Sequence, residues 1–512
     1  MTAEHEKVGR RSEVTITAVI LVAHLCVTVP LAMILSIWID EAYSLNASMG
    51  DLSFVLQQSR EVEMQPPFYF VLLWAWRLIH PSIGFARMLS VVIAVCALVA
   101  THAAARRWIR GISPAWTVGP LAFNTYTLYA ATEIRPYALV LLWAALLLVF
   151  FYDGYLAEKP RRSARWFHAA VSLAALLTYY YLGFLLAAGA VALIVGRRWR
   201  NLRDYVLWMA FVGLLFLKPF IDTSSHIESS RIETLPGLLR SVEFVVASFA
   251  SFPFALYSFE SVVRWSALAV IIGTTAVAIW MQRRRTTPEA RALWAFTGTV
   301  GLFYILVVMV VMGEEIRPRH MLAALLPTIF SIVSAAAGAG QYRRIFLTAW
   351  AIAAIGFTGV ASVKQFSPLA KGGDFKRVAK YIEANEKPGQ SIAIVVANAE
   401  NPLSYYYRGT SELVGVPRRD ALTQFEPKLW RLDSEEEVRA KLASLLSDEG
   451  EAWIFTDFVP GKEFRPMGMD MNFRFLEAVL ASDYEIVSRK DFYAASVRFV
   501  RKRTTATDVP GV

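Results

Sequence analysis

Long apolar runs, with short clusters of Lys and Arg between some of them, are the feature that most constrains how this chain can fold. Charged residues make up 18% of the 512 residues, whereas soluble domains average about 25%. An apolar run of about 20 residues spans a bilayer as a helix, so we expect a polytopic α-helical membrane protein. The basic clusters lie between such runs, which accounts for the net charge of +10 without a nucleic-acid partner. They occupy residues 106–110, 159–165, 197–203, 283–285 and 343–344.

The basic clusters also predict the direction of each span. Lys and Arg in short loops stay in the cytoplasm, so an even number of crossings separates neighbouring clusters. About eleven helices satisfy this condition, with the N-terminus in the cytoplasm and the C-terminus on the outer side of the membrane. The predicted spans are 14–38, 87–105, 112–130, 136–153, 166–180, 182–196, 204–221, 262–282, 292–312, 320–338 and 345–363.

The remaining segments predict a second domain and one helix that does not cross. The apolar stretch 66–79 is too short to span, so we interpret it as a juxtamembrane helix on the outer face. Beyond residue 364 short helix and strand patterns alternate. The sequence therefore predicts a transmembrane domain at 1–363, with loops on the outer face, and a soluble α/β domain on the outer side at 364–512. The helix patterns lie at 375–385, 435–446 and 473–482, and the strand patterns at 391–397, 452–455 and 495–501.

Two adjacent carboxylates stand where the first predicted span leaves the membrane. Asp40 and Glu41 follow directly after Trp38 and Ile39. Carboxylates in this position can act as a general base or a cation site. They can equally be helix-cap or solvated charges.

Two further outer loops carry guanidinium groups. Glu133 and Arg135 lie in a very short loop before Pro136, where they could be solvated charges or functional ones. The loop at 313–320 ends in Arg317, Pro318, Arg319 and His320. Guanidinium groups at a helix start suit a phosphate, although an internal Arg–Glu network is the alternative.

The last two candidate segments are aromatic or proline-rich. Gln65 precedes two prolines that suit a helix start. Tyr179, Tyr180 and Tyr181 could simply be interfacial aromatics. All five segments fall on the outer face under a topology derived only from Lys and Arg. We therefore expect a base, several guanidiniums and apolar walls to share one outward-facing cavity. Such a cavity suits group transfer from a lipid phosphate.

Four stretches resemble the polytopic C-type glycosyltransferases that use polyprenyl-phosphate sugars. This group includes protein O-mannosyltransferases, the aminoarabinose transferase of lipid A and the galacturonic acid transferases of rhizobial lipopolysaccharide. The order and spacing of the stretches match throughout the membrane part, and residues 374–407 resemble the start of the family's outer domain. The stretches begin at Asp40 (DEAYS), Gln65 (QPPFYF), Glu133 (EIRPYAL) and Arg317 (RPRHMLAALLP).

The resemblance implies an inverting transfer of a single sugar, a hexose or a uronic acid, at the periplasmic face of a bacterial inner membrane. It thereby implies that the outer loops and the domain at 364–512 are periplasmic. It carries the catalytic base onto Asp40, with Glu41 in support. It carries the donor phosphate contacts onto Arg135, Arg317 and Arg319. The family often has His at position 65, Arg-Tyr at 319–320 and His within 179–181.

These departures concern Gln65, His320 and Tyr180. The remaining candidates are His320 at the phosphate and a set at the substrate, which consists of Gln65, Glu133, Tyr137 and Tyr180. The expected partners are a polyprenyl-phosphate sugar donor, an envelope glycolipid or protein acceptor, and membrane lipids, with no cofactor and no metal-ligand spacing.

Two rival functions stay open at this point. A transporter or flippase of a charged lipid would need charged residues deep within its spans, and the predicted spans hold almost none apart from Lys218. Transporters also often show related halves, which this sequence lacks. A non-catalytic envelope assembly protein is the third reading. It predicts that replacing Asp40 leaves function intact.

Overall fold

The computed structural model divides the chain into two compact units. The helical unit comprises Met1–Met33 and Met64–Ser367, and the α/β unit comprises Ile34–Glu63 and Pro368–Val512. The segment after the first predicted span therefore belongs to the same unit as the C-terminal residues. The structure describes residues 3–224, 235–282, 286–306, 318–418, 430–459 and 470–503.

The helical unit consists of α-helices joined by short turns. A π-helical turn at Tyr152–Leu156 extends one helix, and 3₁₀ turns precede or follow several others at Tyr180–Leu182, Phe252–Phe254, Leu256–Ser258, Pro318–Ala324 and Gly340–Tyr342. Its helices are α1 (Ala3–Ile34), α4 (Phe68–Arg77), α5 (Ile83–Trp108), α6 (Ala115–Ala122), α7 (Thr125–Ala131), α8 (Tyr137–Phe151), α9 (Arg162–Leu176), α10 (Gly183–Val195), α11 (Trp199–Ser224), α12 (Leu235–Ser251), α13 (Ser261–Gln282), α14 (Pro288–Phe303), α15 (Leu325–Ala337) and α16 (Arg343–Phe366).

Seven helical segments in the described residues are long and apolar enough to cross a membrane, so the chain is a multi-pass membrane protein. Several present apolar side chains outward, such as Leu214 and Val262, which are more than 70% exposed. Lipid, unlike water, solvates such faces. The count of eleven spans stays a prediction. The seven segments are Ser12–Ile34, Ile83–Trp108, Tyr137–Leu156, Trp199–Asp222, Ser261–Gln282, Arg319–Ala337 and Gly340–Phe366.

In two of the predicted apolar segments the helices are too short to cross a membrane. The stretch 112–130 is divided into α6 and α7 rather than forming one continuous helix. Asn124 lies at the break, where its side chain caps α7 and donates hydrogen bonds to the carbonyl oxygens of Phe252 and Pro253 at 3.3 and 3.2 Å. Within 66–79, helix α4 has ten residues and is about 15 Å long, half the thickness of the hydrocarbon core.

Helix α8 lies in the core of the helical unit. It is apolar on every face, and α5 packs along it. Aromatic rings fix this contact, because Trp108 stacks on Phe151 and donates its indole N–H to the carbonyl of Leu148 at 3.0 Å. A helix that is hydrophobic all round is stable only where neighbours cover it. Tyr137, the first residue of α8, is therefore held in place by the packing of this helix.

The α/β unit is built around a five-stranded mixed sheet in the order β2-β1-β3-β5-β4. Strand β1 is parallel to β2 and β3, whereas β5 is antiparallel to β3 and β4. The strands are β1 (Ser391–Val395), β2 (Glu412–Val416), β3 (Glu451–Thr456), β4 (Tyr484–Phe492) and β5 (Ala495–Lys502). The helices are α2 (Ile39–Ala47), α3 (Leu52–Glu61), α17 (Phe375–Glu383), α18 (Glu400–Ser404), α19 (Glu435–Ala443) and α20 (Asp470–Asp483).

Each face of the sheet buries its own apolar layer. Strand residues alternate between the faces, so Ile392 and Ile394 pack with α17 and α18. Ala393 and Val395 pack on the other side with α19 and α20. The three predicted helices and three predicted strands of this region are confirmed within a few residues, while β2 and β4 were not predicted.

Candidate functional site

The short turn between α7 and α8 is enclosed by protein. Glu133 is fully buried and Arg135 is 6% exposed, so the interpretation of these two as solvated loop charges is wrong. The hydroxyl of Ser90 on α5 donates to the carbonyl of Glu133 at 2.5 Å. Burying a charged side chain is costly unless it is compensated. The Arg135 side chain is therefore enclosed by the surrounding protein and almost entirely shielded from solvent.

The 3₁₀ turn Pro318–Ala324 packs against α8 and the turn Tyr180–Leu182. The imidazole of His320 stacks on the ring of Tyr181, with centroids 6.1 Å apart and planes 10° from parallel. The hydroxyl of Tyr304 donates to the carbonyl of His320 at 2.9 Å. Arg319 and Tyr137 both lie within electrostatic range of Tyr179. Segments 137, 179–181 and 318–320 thus come together at one end of α8.

The turn after Gln65 joins the same group of segments. The backbone N–H of Phe68 donates to the carbonyl of Leu177 at 3.0 Å, directly before the tyrosines. The ring of Phe68 meets Trp143 of α8 edge-to-face at 5.7 Å. Trp143 in turn donates to the Thr178 hydroxyl at 2.9 Å. Four segments that are far apart in sequence therefore meet in the helical unit.

Two of the basic clusters, 106–110 and 159–165, lie at the other ends of helices that reach these segments. Helix α5 carries Arg87 near its start and Arg107 near its end, about 30 Å apart at 1.5 Å per residue. Arg107 forms an ion pair with Asp153 at 2.9 Å, in the π-helical turn that follows α8. Arg165 pairs with Asp204 at 2.5 Å. Within the helical unit, the candidate segments and these basic residues are separated by the length of the helices.

Arg87 is a buried cation that the sequence analysis did not single out. Its side chain is fully buried on α5, and Nη1 donates to the carbonyl of Ala32 at 3.1 Å. Arg87 lies one helical turn before Ser90, which bonds the Glu133 carbonyl. The sequence did contain a signal for a functional role, namely an Arg at the start of an apolar span. Arg87 was interpreted there only as the boundary of span 87–105.

Asp40 and Glu41 lie in the first turn of α2, within the α/β unit. Asp40 is half-buried and Glu41 is fully buried. The Glu41 carboxylate forms an ion pair with Lys371 at 3.0 Å, and the Lys371 side chain is itself only 7% exposed. A buried carboxylate needs such a partner because it has lost its hydration. Lys371 was not predicted, since it is 330 residues away in sequence.

Residues at and after α18 hold α2 and the segment before it in place. The Tyr406 hydroxyl accepts a hydrogen bond from the backbone N–H of Ile37 at 2.7 Å. The Tyr405 hydroxyl donates to Asn46 Oδ1 at 3.0 Å. Together with the Lys371–Glu41 pair, these bonds fix both ends of the helix that carries Asp40.

The structure places the remaining candidates as follows. Tyr180 packs its ring on Phe216 and Phe220 of α11, so Tyr181 and not Tyr180 stacks on His320. Arg317 lies outside the described residues. Asp40 and Glu41 belong to the α/β unit, whereas the remaining described candidates belong to the helical unit. A cavity that all of them share therefore stays a prediction. The described residues contain no group of three His, Cys, Asp or Glu side chains placed to hold a metal ion.

Comparison with known proteins gives matches only among solved structures. No family model and no curated protein matches the chain. ArnT from Cupriavidus metallidurans in the apo state matches with a TM-score of 0.56 at 13% sequence identity, over 97% of this chain and 98% of that chain. The chain has the fold of ArnT. That fold is the C-type glycosyltransferase fold, so the predicted fold class is confirmed.

Two further structures match less closely. ArnT from Cupriavidus metallidurans bound to undecaprenyl phosphate gives a TM-score of 0.49 at 14% identity, over 97% of this chain and 98% of that one. The archaeal oligosaccharyltransferase AglB from Archaeoglobus fulgidus, in complex with an inhibitory peptide and a dolichol-phosphate, gives 0.45 at 10% identity, over 88% of this chain and 69% of that one.

Proposed function

We propose that this protein is an inverting glycosyltransferase that moves one sugar from a polyprenyl-phosphate donor to a cell-envelope acceptor at the periplasmic face. The observation that carries the proposal is the meeting of four chain-distant segments at α8, the helix that directly follows the turn with the buried Arg135. The fold of ArnT supports the reaction class. A charged lipid phosphate needs this kind of environment, with guanidinium donors beside apolar helix surfaces.

Arg135 and Arg319 bind the donor phosphate in this proposal. Guanidinium groups donate paired hydrogen bonds to phosphate oxygens and keep their charge at any physiological pH. The phosphate gains negative charge as the bond from the sugar C1 to the phosphate oxygen breaks. Donors that are already in place stabilise that charge without rearranging. Arg317 would add a third guanidinium from the same loop.

Asp40 acts as the general base. It accepts the proton of the acceptor hydroxyl while that oxygen attacks C1 from the face opposite the phosphate, which inverts the anomeric centre. The products are the glycosylated acceptor and free polyprenyl phosphate. Glu41 does not exchange protons with the acceptor in this scheme. Its ion pair with Lys371 fixes α2 and hence the direction of Asp40.

The test compares the wild-type protein with Asp40→Asn in lipid nanodiscs. Both receive a panel of radiolabelled polyprenyl-phosphate sugars and an envelope-lipid acceptor fraction. We expect labelled product from the wild type and a loss of at least about 100-fold in the variant, because a general base contributes about 10²–10⁴-fold. The labelled donor that reacts also identifies the sugar.

Asp51→Asn is the matched control. Asp51 lies in the same segment, but it is exposed and caps α3 by accepting the N–H of Phe54 at 2.8 Å. Its replacement should leave transfer unchanged. Equal product from wild type and Asp40→Asn would remove Asp40 from the chemistry. Translocation of labelled donor in proteoliposomes without any transfer would instead favour the lipid transporter.

A further inference from the structure

A cleft in the α/β unit lies between α17 and the turn that joins β4 to β5. Its volume of about 620 Å³ falls within the range of about 300–1,000 Å³ that is usual for ligand sites. It is lined by charged and aromatic side chains and contains neither Asp40 nor Glu41. The lining includes Arg377, Lys380, Tyr381, Lys490, Phe492 and Tyr493.

Helix α17 presents one polar face to this cleft. Arg377, Lys380 and Tyr381 lie on that face because residues three and four apart are neighbours on a helix. Val378 and Ile382 point the other way and are fully buried against the sheet. The amphipathic pattern of this helix therefore turns its cationic side toward the cleft.

The cleft has an excess of positive charge. Its two carboxylates are already bound by guanidiniums, since Arg377 donates to Asp374 at 2.6 Å and Arg489 donates twice to Asp491 at 2.9 and 2.8 Å. The second contact lowers the pKa of the Asp491 carboxyl, so it stays ionised. Across the described residues, neither lysine of the cleft forms an ion pair.

Aromatic rings hold one of these lysines in place. The Lys490 ammonium lies 4.5 Å from the centroid of Tyr381 and 5.7 Å from that of Phe492. Such cation–π contacts orient a cation without neutralising it. Tyr493 in the turn is 42% exposed and lines the same cleft. Its ring offers a flat apolar surface of the kind on which the C–H face of a pyranose can stack.

We propose that this cleft binds an anionic saccharide, whose carboxylate or phosphate meets Lys380 and Lys490 while a sugar ring stacks on Tyr493. A saccharide is favoured over an ethanolamine or glycerol phospholipid headgroup, because those headgroups have no ring to place on the tyrosine. The saccharide would belong to the acceptor, and this part of the inference rests on the proposed function. Binding itself does not depend on it.

Binding can be measured directly with the full-length protein in phosphatidylcholine nanodiscs. The probes are a uronic acid trisaccharide, its methyl ester and a glucosamine disaccharide bisphosphate. We expect at least one anionic probe to bind and the neutral ester to bind at least about 10-fold more weakly. Lys380→Gln/Lys490→Gln should lose about 10-fold or more, as expected for lost charge-assisted hydrogen bonds. The preferred probe distinguishes carboxylate from phosphate.

Lys441→Gln is the matched control, because Lys441 is exposed on α19 at the opposite face of the sheet. It should bind like the wild type. Equal binding of the double variant, equal binding of the methyl ester or no binding of any anionic saccharide would each overturn the proposal. Displacement of the saccharide in phosphatidylglycerol nanodiscs would assign the cleft to lipid headgroups and overturn it as well.

The acceptor role has its own readout. In the transfer assay, Lys380→Gln/Lys490→Gln should raise the KM for acceptor about 10-fold or more and leave the KM for donor unchanged. An unchanged acceptor KM would overturn the role as acceptor site. Saccharide binding without any transfer would instead contradict the proposed function, while the proposal that the cleft binds a saccharide would stand. The two failures can therefore be told apart.

Discussion

At the scale of single residues, burial separates functional candidates that look alike in sequence. Arg135 and Glu133 stand in a five-residue turn whose composition fits solvated charges equally well. Only the packing of Ser90 and the surrounding helices encloses them. The same holds for Tyr180 and Tyr181, whose contacts could not be predicted from sequence because neighbouring residues in a turn point in different directions. Tyr181 reaches His320, while Tyr180 contacts α11.

Replacement of Arg135 should weaken binding of the donor phosphate. We expect Arg135→Ala to raise the donor KM about 10-fold or more, since a hydrogen bond to a charged group contributes roughly 1.5–3 kcal/mol. Arg135→Lys should recover only part of this loss because an ammonium cannot form the paired contact. Steady-state kinetics over a range of donor concentrations measures both variants.

Arg203→Ala is the control for this series, because Arg203 is exposed at the other end of the helical unit and pairs only with the adjacent Asp204 among the described residues. It should leave the donor KM unchanged. Thermal unfolding of each purified variant shows whether the fold is retained. A folded Arg135→Ala protein with the wild-type donor KM would contradict the assignment.

At the scale of elements, amphipathic helices and alternating strands were predictable, whereas irregular elements were not. Strand β2 was missed because Gly415 interrupts its pattern, yet a Cβ there would lie 2.8 Å from the carbonyl oxygen of Arg418. Strand β4 was missed because it is a charged edge strand with little apolar character. The break between α6 and α7 depends on Asn124 bonding a distant segment. Of these causes, only the contact of Asn124 with residues 252–253 joins segments that are distant in sequence.

The buried ion pair between Lys371 and Glu41 should stabilise α2 and hence the folded protein. Lys371→Met removes the cation that pairs with the buried Glu41 carboxylate, and breaking a buried pair costs roughly 3–5 kcal/mol. We expect a lower unfolding temperature and reduced transfer, with donor KM unchanged if Lys371 only positions Asp40. Removing both charges in Lys371→Met/Glu41→Leu should recover most of the stability, because no unpaired charge then remains.

The double-mutant cycle decides this point by thermal unfolding in nanodiscs. Lys376→Met serves as the control, since Lys376 is near in sequence and only half-buried. It should unfold like the wild type. Additive losses in the double variant would show that the two charges do not stabilise each other, and the positioning role would then be wrong.

At the scale of the whole molecule, the division into units differs in one respect from the division along the sequence. Residues 34–63 group with the C-terminal residues rather than with the helices that surround them in sequence. The segment that carries Asp40 is therefore stabilised by tertiary contacts with residues 371 and 401–406. Sequence proximity alone assigned it to the membrane domain.

The predicted membrane topology can be tested with single cysteines. Cys26 and Cys96 are first replaced by Ala, and Cys is then placed at exposed Lys441 or at Lys159 in a basic cluster. We expect a membrane-impermeant maleimide to label position 441 in cells with a permeabilised outer membrane. Position 159 should react only after the inner membrane is lysed, because Lys and Arg clusters stay cytoplasmic.

Position 503, at the end of the described chain, provides a second site for the same test. Arg503→Cys should react like Lys441→Cys, because both belong to the α/β unit. Protection of both positions in cells with a permeabilised outer membrane and an intact inner membrane would place this unit in the cytoplasm. The predicted topology and the periplasmic site of transfer would then be wrong.

The sequence by itself determined the class of this protein, because hydropathy and charge act locally along the chain. Apolar runs predict spans, basic clusters predict a side, and short motifs carry the resemblance to C-type glycosyltransferases. Tertiary structure alone decided which charges are buried and with which partners they pair. Glu41 with Lys371, Tyr181 with His320, and Lys490 with Tyr381 are pairs formed by packing between distant segments. Desolvation and geometry, which no local pattern encodes, determine these contacts.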